Sequence, residues 1–146
     1  MPYSPMLVRP MKEELTAAGF QELLTVSDVD AMMAEKTGTT FLVVNSVCGC
    51  AAGMARPAVR QAVSGEVRPD RLVTVFAGQD LEATARVRSL MSDIPPSSPS
   101  MALFKDGELV YFLPRHRIEG RSAEAVAEDL AGAFRKFCAI APVSVS

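Results

Sequence analysis

The strongest constraint on the fold is a run of β-branched and apolar residues at positions 39–47, Thr-Thr-Phe-Leu-Val-Val-Asn-Ser-Val. Its apolar residues are consecutive rather than alternating, which is typical of a strand that is covered on both faces. A second run of this kind, Arg71–Phe76, predicts another central strand. Such strands occur in sheets that carry helices on both sides, so we expect an α/β protein.

Helical segments alternate with these strands along the chain. Helices are predicted at residues 9–20, 29–36, 51–63 and 80–91, and a last helix follows the N-cap Ser122. Pro10 is a candidate first residue of the first helix. Ser27 is the predicted N-cap of the second helix, with Asp30 in its first turn, and Pro57 is expected to kink the third.

The chain closes its predicted sheet with a hairpin. Strands are predicted at residues 101–105 and 109–113, joined by Asp106-Gly107, which is a strong hairpin signal. The predicted order is α-α-β-α-β-α-β-β-α. We expect one domain over residues 1–146, with a central mixed sheet flanked by helices.

Composition and charge exclude several classes of partner. The 146 residues carry a net charge of −2 and no block of lysine or arginine, which argues against nucleic acid or an anionic membrane. The N-terminus lacks the features of a signal peptide, and no apolar run approaches the length of a membrane span. We therefore expect a cytoplasmic protein, in which thiols stay reduced. Three cysteines in that compartment indicate chemistry or metal binding rather than a disulfide framework.

Two of the cysteines stand one glycine apart, as Cys48-Gly49-Cys50, after the first central strand and before a helix. Unpaired N–H groups and the helix dipole stabilise an anion at a helix N-terminus, so this position lowers the pKa of a thiol. The thiolate is the nucleophile in thiol–disulfide exchange, which predicts Cys48 as the attacking sulfur. Residues two apart on a helix do not face one another, so a Cys48–Cys50 disulfide requires bending at Gly49.

Metal binding is the main alternative for the two thiols. Closely spaced sulfurs suit Cu(I), zinc or an iron–sulfur centre, as in a metal-binding or metal-delivery module. Structural zinc takes four ligands, however, and the sequence offers one further thiol, Cys138, and one histidine, His116. No metal site is therefore predicted. Cys138 is interpreted as a packing residue of the last helix, and His116 as a surface residue.

Several segments resemble the thioredoxin fold and, more specifically, the bacilliredoxin family. The strand–Cys48-Gly49-Cys50–helix unit resembles the thioredoxin active site with one residue fewer between the thiols, and residues 99–108 are similar to the segment that begins with the thioredoxin cis-proline. The likeness to bacilliredoxins rests on residues 45–53, 74–80, 97–100 and 114–120, and it covers residues 10–138. The resemblance implies a thioredoxin-like fold with extra N-terminal helices.

The resemblance also implies a function. It implies a thiol–disulfide oxidoreductase that removes bacillithiol, a low-molecular-weight thiol and co-substrate, from S-bacillithiolated client proteins. Disulfide isomerase activity is also attributed to the family, and no tightly bound cofactor is implied. By position, Cys48 is the nucleophile and Cys50 the second or resolving thiol. The implied substrate-binding residues are Gly49, Ser98 and Pro99, of which Pro99 matches the cis-proline.

One departure from thioredoxin concerns proton transfer. Thioredoxin has a buried acidic residue in the strand before its cysteines, whereas Leu42 stands at that spacing here. Proton transfer to the leaving sulfur is then left to water, to the small thiol or to another group. The sequence also leaves open which small thiol the source organism uses and whether the chain forms a homodimer.

Overall fold

The first predicted central strand lies in the middle of the sheet. The computed structural model describes residues 2–138, and in it β2 spans Thr39–Asn45 with every residue buried. Side chains alternate along a strand, so Phe41 and Val43 belong to the apolar core on one face. Leu42 and Val44 belong to the core on the other face. These two cores explain why the apolar residues are consecutive.

The sheet has five strands in the order β1-β3-β2-β4-β5. The strands around β2 are β1 (Gln21–Glu22), β3 (Arg71–Phe76), β4 (Ser100–Lys105) and β5 (Glu108–Leu113). β3 runs parallel to β1 and β2, whereas β4 is antiparallel to both β2 and β5. The predicted mixed sheet is confirmed. The edge strand β1 was not predicted, because two residues are too few to show a pattern.

Helices cover both faces of the sheet. The α-helices are α1 (Pro5–Thr16), α2 (Val26–Ala34), α3 (Arg56–Val63), α4 (Leu81–Ser89) and α5 (Ala123–Phe137). Residues of α3, α5 and the end of α1 pack on one face, and residues of α2 and α4 pack on the other. Ser122 caps α5 as predicted, since its hydroxyl accepts a hydrogen bond from the Ala125 N–H at 3.1 Å. None of the helices in residues 2–138 has the length and apolarity needed to cross a membrane.

The first helix begins earlier than predicted. α1 starts at Pro5 rather than Arg9, because Ser4 supplies its N-cap and the Ser4 hydroxyl accepts a hydrogen bond from the Met6 N–H at 3.3 Å. Pro10, the candidate first residue, therefore lies inside the helix.

Two other boundaries also differ from the prediction. The N-cap of α2 is Thr25 and not Ser27, because the Thr25 hydroxyl accepts from the Asp28 N–H at 3.0 Å while the Asp28 carboxylate accepts from the Thr25 N–H at 3.2 Å. This reciprocal pair satisfies two free donors and starts the helix earlier. β2 ends at Asn45 and not at position 47, because the Ser46 N–H donates to Asn45 Oδ1 at 2.9 Å instead of to a neighbouring strand. α1 also ends four residues before its predicted end, at Thr16 rather than at Phe20, and the remaining predicted boundaries agree within two residues.

The helix after the two cysteines is continuous but irregular. A π-helical turn, Ala51–Ala55, precedes α3, and in it the Arg56 N–H donates to the Ala51 carbonyl. Pro57 has no N–H to donate in the following turn, so the irregular segment adjoins the position of the predicted kink.

The predicted hairpin between β4 and β5 is confirmed. Asp106 and Gly107 have φ values of +53° and +86°, the left-handed conformation of a type I′ turn. Because β5 is antiparallel to β4 and β4 is antiparallel to β2, β5 ends at the same edge of the sheet as β2. Residues 114–120 therefore return to the edge that carries the cysteines.

Candidate active site

Cys48 is the residue that caps the helix following β2. Its carbonyl accepts hydrogen bonds from the N–H groups of Ala51 at 3.0 Å and Ala52 at 3.2 Å. A side chain in this position can accept hydrogen bonds from the free N–H groups of the first turn. The backbone N–H groups of Ala51 and Cys50 lower the pKa of the Cys48 thiol in this way. The predicted location at a helix N-terminus is confirmed.

The Ser46 hydroxyl is a further donor to the Cys48 sulfur. Ser46 Oγ lies 3.3 Å from Cys48 Sγ and also accepts from the Cys48 N–H at 3.3 Å. Burial raises the pKa of the Cys48 thiol, but hydrogen bonds from Ser46, from the Ala51 N–H and from Cys50 lower the pKa by more, to below that of a free cysteine. The residue is only partly buried. Its sulfur therefore combines stabilisation as a thiolate with access from solvent.

Cys50 lies in the opposite environment. Its side chain is buried, and its thiol donates towards Glu119 Oε2 at 3.7 Å. Burial and the contact with Cys48 raise the pKa of Cys50, the Glu119 carboxylate adds to the rise, and Arg115 opposes it. Both thiols are free. The pair therefore combines one sulfur that ionises readily with one that holds its proton.

The cis-proline loop lies at the same edge of the sheet as the cysteines. The Ser98–Pro99 peptide bond is cis, as the resemblance implied. Ser100 pairs with Val44 of β2, so Pro99 lies beside the end of that strand. A Cβ placed on Gly49 meets no atom within 4 Å, so the surface over this residue is open. Ser98 and Pro99 are thus brought to the end of the strand that leads to Cys48.

Arg115 connects the cis-proline loop to the cysteines. Its backbone N–H donates to Ser97 Oγ at 3.2 Å, and its Nη1 donates to the Ser98 carbonyl at 3.4 Å. Its Nη2 donates to Glu119 Oε2 at 3.3 Å. The ionised forms of Cys48, Cys50 and Glu119 each favour the charged guanidinium and so raise the pKa of Arg115. One cation therefore acts on both sulfurs and on the neighbouring acid.

Arg115 and Glu119 were not predicted as site residues. His116 was the candidate in this segment, and it lies on the surface as interpreted. The signal was present: the two residues are four apart in segment 114–120, a spacing at which opposite charges meet on one helical turn. What the spacing could not reveal is that this turn faces the cysteines.

A buried arginine supports the loop that carries Ser46. Arg56 is 2% exposed, and its Nη1 donates to Asn45 Oδ1 at 3.0 Å and to the Ser46 carbonyl at 2.8 Å. Its Nε lies 3.1 Å from Glu14 Oε1, which gives the buried charge an ionic partner. Arg56 was not predicted as a site residue either. The signal was an arginine on the apolar face of a helix, three and seven residues before the buried Val59 and Val63.

Cys138 is remote from the other two cysteines. It belongs to the apolar core as interpreted, and burial raises the pKa of its thiol while a hydrogen bond with Thr39 opposes the rise. Thr39 begins β2, whereas Cys48 follows the end of that strand. A strand of this length spans roughly 20 Å, so Cys138 is outside disulfide range of the pair.

The arrangement does not favour the metal-binding alternative. In the part of the chain that the structure describes, no group of three or more His, Cys, Asp or Glu side chains could hold a metal ion. Two sulfurs alone do not make up the ligand set of structural zinc. A thiolate beside a second thiol and a cation instead suits nucleophilic attack on a disulfide.

Known relatives agree with this chemistry. A family profile described as disulphide isomerase matches residues 3–138. A bacilliredoxin from Geobacillus kaustophilus is 57% identical over 137 residues, covering 93% of this chain and 94% of the relative. A bacilliredoxin from Bacillus licheniformis is 56% identical over 137 residues, covering 93% and 95%. A bacilliredoxin from Salinibacter ruber is 54% identical over 140 residues, covering 94% of this chain and 82% of the relative.

Solved thioredoxin structures confirm the fold. A thioredoxin variant from Halobacterium salinarum matches with a TM-score of 0.58 and 16% identity, over 86% of this chain and 96% of that one. Mitochondrial thioredoxin 3 from Saccharomyces cerevisiae matches with a TM-score of 0.57 and 14% identity, over 84% and 98%. At these identities the likeness shows the thioredoxin fold alone. Together with the sequence relatives, it identifies this chain as a member of the bacilliredoxin family and a thiol–disulfide oxidoreductase.

Proposed function

We propose that this chain removes bacillithiol from S-bacillithiolated proteins through a mixed disulfide on Cys48. The observation that supports the proposal is the environment of the Cys48 sulfur. The residue is partly exposed, its sulfur lies 3.3 Å from the Ser46 hydroxyl, and the pKa of its thiol is lowered. Such a sulfur supplies more thiolate at neutral pH than an ordinary cysteine, and the thiolate is the reactive species. The name of the relatives supports bacillithiol as the small thiol.

The reaction has two exchanges. In the first, the Cys48 thiolate attacks the bacillithiol sulfur of the mixed disulfide, that S–S bond breaks, and the client leaves as a thiolate that takes a proton from water. In the second, the Cys50 thiol loses its proton and attacks the Cys48 sulfur. This step forms a Cys48–Cys50 disulfide and releases bacillithiol, which carries away the electron pair of the broken bond. A reducing thiol then restores the dithiol.

The cis-proline loop is the proposed contact surface for the client. Ser98 and Pro99 lie beside the end of β2, at the edge from which the Cys48 sulfur is reached. Gly49 leaves open surface beside the two thiols, where a side chain would narrow the approach. Arg115 fixes the Ser98 carbonyl and so orients this loop.

The proposal also specifies compartment and partners. The reaction belongs in the cytoplasm, because free thiols persist in a reducing compartment. The partners are proteins that carry a small thiol in disulfide linkage, together with that thiol. No step of the cycle needs a tightly bound cofactor, a metal ion or a second copy of the chain.

The test offers bacillithiolated and glutathionylated forms of one client to wild type, Cys48→Ala and Cys50→Ala. We expect Cys48→Ala to lose all activity, because the attacking sulfur is gone. Cys50→Ala should complete one transfer and then carry bacillithiol on Cys48, which intact mass spectrometry detects as an added thiol. Cys138→Ala is the matched control and should behave as wild type.

Two results would contradict this function. Equal activity of wild type and Cys48→Ala would exclude Cys48 as the nucleophile. Equal or faster release of glutathione than of bacillithiol would exclude bacillithiol as the preferred small thiol, while leaving the exchange chemistry in place.

We also propose disulfide isomerase activity at the same site, on the strength of the family description. A protein with mispaired disulfides presents an S–S bond that the Cys48 thiolate can attack, and the mixed disulfide then resolves through another client thiol. Recovery of activity by a scrambled ribonuclease measures it. Unchanged recovery on adding Cys48→Ala in place of wild type would contradict this second activity.

A further inference from the structure

The second exchange poses a problem of proton transfer. Cys50 must attack as a thiolate, but burial and the contact with Cys48 raise the pKa of its thiol, and Glu119 raises it further against the opposing charge of Arg115. Most Cys50 is therefore protonated at neutral pH. A group that removes this proton during the attack would speed the step.

Position 42 does not supply such a group. Leu42 is fully buried among the apolar residues on the α2 and α4 side of the sheet. His116 is exposed on the turn after β5. In the described part of the chain, the carboxylate to which the Cys50 thiol donates is that of Glu119.

Glu119 has the geometry of a proton acceptor for Cys50. Its Oε2 lies 3.7 Å from Cys50 Sγ, within hydrogen-bond range for sulfur. The same oxygen accepts from Arg115 Nη2 at 3.3 Å, and Arg115 is anchored in turn to the Ser98 carbonyl at 3.4 Å. The Glu119 side chain is 55% exposed, so its carboxyl group can pass a proton on to solvent or to a departing thiol.

We propose that Glu119 is a catalytic residue of the second exchange, the base that takes the proton from Cys50 as Cys50 attacks the mixed disulfide on Cys48. The S–H bond of Cys50 breaks, and the proton moves to Glu119 Oε2. The Cys50–Cys48 bond forms as the bond from Cys48 to the small thiol breaks. The departing thiolate then takes the proton from the carboxyl group, which restores the carboxylate. Arg115 is a positioning residue that holds the carboxylate against the thiol.

This inference rests on the proposed function. The direction in which Glu119→Gln changes the rate of the second exchange distinguishes a proton acceptor from a purely electrostatic role of Glu119. A carboxylate that acted only through its charge would hold Cys50 in the protonated form, so Glu119→Gln would raise the thiolate fraction and accelerate the second exchange. A carboxylate that accepts the proton has the opposite effect, because its removal slows the exchange.

The experiment follows both exchanges in one trace. Reduced protein is mixed with 5,5′-dithiobis(2-nitrobenzoate), whose coloured thiolate appears once when Cys48 is modified and again when Cys50 attacks the resulting mixed disulfide. This thiolate leaves without needing a proton, so the second phase reports proton removal from Cys50. Wild type and Glu119→Gln are compared across pH. The control is Glu66→Gln, an exposed glutamate beyond the C-terminal end of α3 and so remote from the thiols.

We expect the first phase of Glu119→Gln to stay within about twofold of wild type, which also shows that the variant is folded. The second phase should slow at least tenfold at neutral pH and approach the wild-type rate in alkali, where Cys50 ionises without help. Glu66→Gln should match wild type in both phases. A second phase that is unchanged or faster in Glu119→Gln overturns the role of Glu119 and leaves the proposed function in place. A wild-type protein without a first phase overturns the proposed function, and the inference with it.

Discussion

Replacing Ser46 with alanine removes a side-chain donor from the Cys48 sulfur. The hydroxyl lies 3.3 Å from Sγ, and its hydrogen bond helps to lower the pKa of Cys48. A hydrogen bond to an ionised group is worth about 1.5–3 kcal/mol, and partial exposure of Cys48 argues for the lower end. A loss of about 1.5 kcal/mol reduces the ratio of thiolate to thiol roughly tenfold. The pKa of Cys48 should therefore rise.

The rate of the first exchange should change in a pH-dependent way. Below the pKa values of both proteins, Ser46→Ala has about tenfold less thiolate, but each thiolate is about threefold more nucleophilic because nucleophilicity follows basicity. The net rate should fall roughly threefold. Well above both pKa values, Cys48 is fully ionised in each protein, and the first exchange of Ser46→Ala should be about threefold faster than that of wild type. The two pH–rate profiles should cross.

Stopped-flow measurement of the first coloured-thiolate phase against pH provides the test. Ser64→Ala is a matched control, because its hydroxyl donates to the Gln61 carbonyl at 2.7 Å at the far end of α3. Superimposed profiles for wild type and Ser46→Ala would refute the role of the hydroxyl. A variant that is slower at every pH would show instead that Ser46 acts on the position of the sulfur and not on its ionisation.

Other variants test the supports of the site. Arg56→Met should lower the free energy of unfolding by about 2–4 kcal/mol, because Asn45 Oδ1 and the Ser46 carbonyl lose their buried donor. The control Arg60→Met, on the exposed face of α3, should change this free energy little. Urea denaturation compares the two variants, and equal stability would contradict the supporting role of Arg56. Gly49→Ala should slow the second exchange severalfold and the first exchange less, since a methyl group narrows the approach to Cys48 only slightly whereas alanine resists the bending that ring closure needs. A second phase slowed no more than the first would show that glycine is dispensable for ring closure. Cys138→Ala should leave both phases unchanged and cost about 1 kcal/mol of stability, and loss of either phase would contradict its assignment to the core.

The different environments of the two thiols support the proposed division of steps between them. A sulfur at the helix cap meets donors from its own loop and from the first turn, so it ionises readily. The sulfur two residues later lies inside the first turn, is covered, and faces a carboxylate. For Cys50 to become the sulfur that ionises readily, the helix would have to start two residues later. In the proposed cycle, the spacing of the motif therefore sets the order of attack.

Local patterns in the sequence were sufficient for much of the fold. Consecutive apolar residues predicted the central strands, because a strand buried on both faces has no polar side. Asp106-Gly107 predicted the hairpin, because few residue pairs adopt a left-handed turn. The position of Cys48 between strand and helix also followed from sequence, and with it the lowered pKa. Resemblance to a known family added the cis-proline, which no local pattern indicated.

What only the tertiary structure decided was which distant residues meet the two thiols. Glu119 is 69 residues from Cys50 in sequence, and it reaches the thiol because β5 ends at the same edge of the sheet as β2. Arg56 shares a helix face with apolar residues in the sequence, but only packing places its guanidinium against the Ser46 carbonyl. Local propensity acts over a few residues, whereas proton transfer and loop support depend on contacts that exist only after the strands have paired and the helices have packed on them.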